Sequence, residues 1–161
     1  MRTVTGFCAL AALGLAAPSA QVVAQSNPLG FSVDVKLSPK AAAKLAGLGE
    51  KIVVAAIWSG EPLEKFTKQA KKFVAEDGSL FFGVERVTIP GADGHADFSG
   101  KTVKLEHVDW VKDQTPEVLI NVYTARLKTA DNLLDCGVFQ DQLSAARAKT
   151  IQIACKLIGE R

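Results

Sequence analysis

Few side chains in this chain have reactive chemistry. Histidine occurs at His95 and His107, and cysteine at Cys8, Cys136 and Cys155. Asp93, His95 and Asp97 alternate through a glycine-rich stretch, and His107 follows about one strand later. Folded as a hairpin, these four would bring imidazole nitrogen and carboxylate oxygen together, a donor set suited to zinc or copper. The spacing between the histidines is neither helical nor strand-paired, so the signal is thin. The plainer reading makes His107 a half-buried strand-end residue and His95 a solvated loop tip, and the two are expected to stand apart. No cofactor is assigned.

Other chemistry finds less support. Gly100-Lys101-Thr102 ends like a phosphate-binding loop, but five residues separate Gly94 from Gly100 where the motif needs four. The residues after Gly100 read as strand, whereas phosphate needs a helix N-terminus. The loop lacks the ladder of oxygen ligands that calcium requires. No G-x-S-x-G elbow occurs, and neither histidine has an evident nucleophile beside it. No catalytic residue is named, and the reading is non-enzymatic.

Cys8 lies in a segment of a different kind. From Thr3 to Val33 there is no charged residue, and Arg2 precedes an apolar run from Val4 to Ala17. A basic tip, a short apolar middle and a small-residue tail make an export signal. The run is shorter than the roughly twenty residues that span a bilayer. Val22 and Ala24 suit the −3 and −1 positions of a peptidase site, so cleavage is expected after Ala24, with Ala20 as second choice. The alternative is an uncleaved anchor. Cleavage makes residues 1–24 a signal peptide, leaves 25–30 as a flexible leader, and makes 31–161 a single domain, periplasmic or extracellular, with no transmembrane anchor.

Cys136 and Cys155 then remain, an even pair in an oxidising space. Cys155 falls on the apolar positions of an alternating run from Ile151 to Leu157, and Cys136 stands at a turn or strand end before Gly137. They are expected to form a structural disulfide, since a redox pair would favour C-x-x-C spacing.

Charge sets a further bound. The chain carries 19 Lys plus Arg and 17 Asp plus Glu, a net charge of +2. Nucleic acid needs concentrated positive charge, so it is not an expected partner. The basic cluster Lys65, Lys68, Lys71 and Lys72 is flanked by Glu61, Glu64, Glu76 and Asp77 and reads as a solvated face.

These residues must be positioned by short elements. Phe31 to Leu37 alternates as a half-buried strand, and Ser38-Pro39 starts a helix over Lys40 to Ala46 that Gly47 and Gly49 stop. Ile52 to Trp58 reads as a central, doubly buried strand. Residues 63–76 show helical spacing, although Asp77-Gly78 also permits a hairpin between Phe73–Glu76 and Ser79–Phe82. Leu80 to Ile89 is a strand, Gly91 to Gly100 a loop, and Thr102 to Val108 a strand. Val118 to Leu127, Leu133 to Phe139 and Thr150 to Ile158 are further strand segments, with a short helix over Asp141 to Ala148. Phe81 and Phe82 are adjacent and so face opposite ways, while Trp58 and Trp110 end strands and cover the core.

Strands dominate without a long helix after each, which disfavours parallel βαβ winding. The expected fold is mainly β: an antiparallel two-sheet β-sandwich, loosely immunoglobulin-like, with two or three short helices. The function read from it is that of an exported binding or envelope-associated protein whose partner is an unknown protein or envelope component. Two alternatives stand beside it. One is a metal-binding protein or metalloenzyme using His95 and His107 with Asp93 or Asp97. The other is a secreted inhibitor of an extracellular hydrolase presenting the Gly91–Gly100 loop.

Overall fold

The computed structural model describes residues 28–66, 68 and 71–161; the segment expected to be a signal peptide, the expected cleavage site, Cys8 and residues 25–27 lie outside the described residues. The fold is mainly β, with two four-stranded sheets enclosing one apolar core. Strand β1 (Phe31–Leu37) turns Phe31, Val33 and Val35 inward, as its alternation requires. Helix α1 (Pro39–Leu48) starts where the Ser38 hydroxyl accepts the Ala41 N–H at 3.1 Å, and it ends at Gly49, whose φ of 65° suits a residue without Cβ.

Strand β2 (Lys51–Gly60) lies between β3 (Leu80–Pro90) and β5 (Glu117–Thr124), and a short β7 (Phe139–Gln142) extends that sheet in the order β3-β2-β5-β7. The other sheet runs β4-β1-β8-β6, with β4 at Gly94–Phe98, β6 at Leu134–Cys136 and β8 at Ile151–Leu157. Helix α2 (Leu143–Ala148) buries Leu143 and Ala146 between β7 and β8 in sequence. Glu50, beside β2, is a buried carboxylate. It accepts the backbone N–H groups of Lys51, Leu127 and Lys128 and so ties down the turn after β5.

Several expectations need correction. The sandwich is not wholly antiparallel, because β1 and β8 run parallel from Val33↔Ile151 to Leu37↔Cys155. A parallel pair needs a long crossover, and here the whole intervening chain supplies it. The stretch Gly91 to Gly100 is not a loop throughout: β4 pairs antiparallel with β1 from Phe31↔Phe98 to Val35↔Gly94. Ala96 and Phe98 face the core while His95 and Asp97 face out, a period of two that glycine and aspartate had masked. The segment offered as an inhibitory loop is therefore largely strand.

Thr102 to Val108 is not a strand. Leu105–Trp110 forms a 3-10 helix that folds His107 and Trp110 onto other rings instead of onto a neighbouring strand. Over 63–76 the described residues are helical in type but short-range, with 3-10 turns at Glu64–Phe66 and Lys71–Phe73 and Lys68 helical between them; residues 67, 69 and 70 lie outside the described residues. Beyond them Val74 bridges to Leu80 across the Asp77-Gly78 turn, a fragment of the hairpin alternative. Leu133 to Phe139 divides at Gly137, so β6 and β7 enter different sheets. Strand β5 stops at Thr124, two residues before Arg126 takes a φ of 57°. The leader is not loose at its end, because Leu29 is only 5% exposed and packs beside Gly100.

Candidate functional site

The residues with chemistry fall into three places. The first is the outward face of β1 and β4. Their register sets Asp34 opposite His95 and Ser32 opposite Asp97. His95 Nδ1 lies 2.6 Å from Asp34 Oδ1, and its Nε2 lies 3.0 Å from Asp97 Oδ1. Ser32 Oγ donates to Asp97 Oδ1 at 2.6 Å, and Gln152 Nε2 donates to Asp34 Oδ2 at 2.8 Å. The hydrogen bonds to Asp34 and Asp97 raise the pKa of His95 above the ordinary imidazole value. Asp34 is lowered by Gln152 and then His95, and Asp97 by Ser32 and then His95.

This order of contacts decides the chemistry. Ser32 bonds to a carboxylate, not to the imidazole, so His95 is not placed to take a proton from its hydroxyl. Both nitrogens of His95 face carboxylates, an arrangement that clamps an imidazolium between two acids. The cluster fastens β4 to β1.

The second place is an aromatic cluster over one end of the β3-containing sheet. His107 is 2% exposed and stacks on Trp110 with centroids 4.5 Å apart, while Phe73 stands 4.4 Å and Phe82 6.5 Å away. Its Nδ1 is buried without a hydrogen-bond partner, and its Nε2 is 3.8 Å from Glu106 Oε1. Burial lowers the pKa of His107; Glu106 opposes this, and Lys104 and Lys72 reinforce it.

Of the four residues proposed as metal ligands, the structure brings together only His95 and Asp97. Asp93 instead accepts from Leu37 N at 2.8 Å and Lys36 Nζ at 3.1 Å, and hydrogen bonding by both lowers its pKa. His107 is enclosed by rings, while the His95 side chain is 51% exposed. Among the described residues no group of three or more His, Cys, Asp or Glu is arranged to hold a metal.

The third place escaped the sequence reading. A groove of about 610 Å³ crosses β1, β8 and β6 beside the Cys136–Cys155 disulfide. The two cysteines are register partners, with Cα atoms 4.0 Å apart. Ala154 sits opposite Lys36, and Gly137 N donates to Ala154 O, so small residues form the floor. Lys36, Ser38, Asp135 and Lys156 stand among its walls. Its size falls within the range of small-molecule clefts. Three separate segments build it, and the only trace in the sequence is the outward alternation of Gln152, Ala154 and Lys156.

The remaining aromatics are mostly structural. Trp58 is buried, with its ring 5.7 Å from Phe31 and 6.3 Å from Phe98. Phe82 is 4% exposed and Phe81 42%, the opposed pair that adjacency on a strand requires. The four lysines from Lys65 to Lys72 are exposed. No protein-family model, no curated protein and no solved structure matches this chain.

Proposed function

We propose that this chain is an exported, non-enzymatic binding domain of the periplasm or cell exterior, and that its docking surface is the groove across β1, β8 and β6. The groove carries the reading: it is an open, apolar-floored depression with lysine and aspartate on its rim, held in shape by a disulfide. Such a surface suits a protein segment or another envelope component better than it suits bond-breaking chemistry, which needs converging acid, base or nucleophile groups. The disulfide supports an oxidising compartment, and no helix among the described residues is long and apolar enough to cross a membrane. The architecture is taken as immunoglobulin-like only in the loose sense of two stacked sheets.

Two measurements test this. Protein recovered from fractionated cells should begin at Gln25 and show no alkylatable thiol before reduction; an intact Met1 overturns export. A photo-crosslinking amino acid in place of Lys156 should yield a discrete adduct in the envelope fraction, and the same group in place of Thr88 on β3 should not. Equal adducts from both positions, or none from either, overturn the groove.

A further inference from the structure

The segment from Lys101 to Pro116 is fastened unlike the rest of the molecule. It lies outside both sheet ladders. Among the described residues its backbone ties to neighbouring elements are Leu63 N to Trp110 O at 2.7 Å, Lys112 N to Glu61 O at 2.8 Å, the Pro62↔Val111 bridge, and Leu143 N to Pro116 O at its base. Most of its other backbone bonds are internal 3-10 turns. Glycine makes its seat: a Cβ on Gly83 would stand 2.7 Å from the Thr102 carbonyl oxygen, and one on Gly60 would stand 2.8 Å from a Val111 methyl. The segment begins beside Gly100, with φ 68°, and ends at Asp113 and Gln114, two adjacent non-glycine residues with φ 56° and 51°. Left-handed backbone of that kind is strained for a residue with a Cβ and relaxes when the surrounding structure lets go.

Besides those ties and the buried Val103 and Val111, ring packing holds this segment down, with His107 in its midst. The imidazole is enclosed by Phe73, Phe82 and Trp110, and one nitrogen is buried without a partner. A neutral ring tolerates that enclosure. A protonated ring presents two N–H donors and a full charge, and a buried unpaired charge is among the costliest groups a fold can hold. The charged neighbours do little to help. On its own element Lys104 repels an imidazolium, while Glu106 sits 3.8 Å away with its carboxylate largely in water. From the Lys71–Phe73 turn Lys72 repels it as well, and from β3 the uncharged ring of Phe82 faces it.

We propose that residues 101–116 form an acid-opened flap with His107 as its latch: the neutral ring holds it shut, and a proton releases it while both sheets stay folded. Opening withdraws Val111 from Gly60 and uncovers Phe73 and Phe82, giving the molecule a second, apolar face that is displayed only in acid. Linkage sets the sign. The closed form holds His107 below its ordinary pKa of 6.5, so the open form binds the proton more readily, and closure weakens as pH falls through that value. One proton gives a ceiling of about tenfold more opening per pH unit, until the closed form also protonates.

Hydrogen exchange of the full chain between pH 7.5 and 5.0, corrected for intrinsic rates, tests the proposal. Peptides covering 101–116 should lose protection below pH 6.5 by up to about tenfold per unit, while β2 and β5 keep theirs. His107→Phe, which fills the cage with a ring that cannot titrate, should flatten the response, and His95→Asn should leave it unchanged. Three results overturn the flap: protection of 101–116 independent of pH, parallel loss in β2 and β5, or an unaltered response in His107→Phe. Should that variant fail to fold, the wild-type imidazole resonances decide: His107 must titrate over the same pH range as the loss of protection, and titration elsewhere overturns the latch.

Discussion

The two histidines occupy opposite surroundings, and the difference separates two ways of fastening a segment to a sandwich. His95 stands on an outward strand face with an acid at each nitrogen, so its proton strengthens the β1–β4 pair. His107 stands among rings with one nitrogen unsatisfied, so its proton weakens what the rings hold. Around His95 the fastening is redundant: the β1 ladder to β4 on one side and β8 on the other, and beyond β8 a disulfide to β6. Around His107 it is a few backbone bonds, the buried Val103 and Val111, and a patch of aromatic surface. The same residue type thus tightens one region and loosens the other as pH falls, because desolvation and pairing shift a pKa in opposite directions.

The largest perturbation removes what both regions stand on. Trp58→Ala empties the space beside Phe31 and Phe98 and should cost about 4 kcal/mol in denaturant unfolding, with flap and sheets lost in one transition. If the flap survives that loss, it is not seated on the core. Replacing both cysteines by serine comes next. The bridge closes a sequence separation of 19, and its loss should cost about 3 kcal/mol, with no change in the pH response of 101–116. A loss below about 1 kcal/mol would show that the ladder alone fastens that edge.

Gly83→Ala should act on the flap by crowding instead of by charge. Its Cβ meets the Thr102 carbonyl oxygen, and overpacking of that kind costs about 2 kcal/mol. Exchange protection over 101–116 should fall at pH 7.5 as it does in the acid wild type, with β5 unaffected. An unchanged flap in this variant would place the seat elsewhere.

The smallest effect belongs to the outward cluster and is a matter of pH profile. His95 is raised above 6.5, so its contribution to stability is complete below 6.5 and fades as pH rises through its folded-state value. Asp34 and Asp97 are lowered below 3.8, so theirs is complete above 3.8 and fades as pH falls through their folded-state values. The cluster should hold β4 best between about pH 3.8 and 6.5, across the upper part of which the flap loosens. His95→Asn should remove the alkaline limb from a stability-versus-pH curve. A curve identical to wild type would show that the clamp contributes nothing.

Legibility in the sequence followed the same division. Phe31 to Leu37 and Ile151 to Leu157 alternate cleanly, and both are strands over those bounds because each buries one face against the core. The Ser38-Pro39 start of α1 is a local signal that the structure keeps; of the two glycines expected to stop it, Gly49 does so at a φ of 65°, while Gly47 lies inside the helix, which runs on to Leu48. The pairing of Cys136 with Cys155 was expected from an export signal that would remove Cys8 and leave two thiols, and the two are bonded in the structure. Where the pattern was mixed, the reading failed. Gly94 to Phe98 carries the right period under glycine and aspartate, yet only the empty edge of β1 makes it a strand. Thr102 to Val108 carries nearly the same period, yet it pairs with no strand, and from Leu105 the chain turns into a 3-10 helix that packs His107 and Trp110 among rings.

The sites divide in the same way. Asp93, His95, Asp97 and His107 could be picked out by type, but not sorted. Antiparallel register set Asp34 opposite His95, whose other nitrogen meets Asp97 on the same strand, while Asp93 went to a lysine and a backbone N–H and His107 to a cage of rings outside the ladders. The groove had no reading at all, since its floor needs the parallel β1–β8 pair and the β6 edge at once.

By itself the sequence determined what is local: which runs alternate with one face buried, and where the first helix is capped. Tertiary structure decided what those residues mean. Whether an imidazole gains or loses affinity for its proton depends on which groups lie within a few ångströms of it, and chain separation carries no information about that until the sheets have set their register.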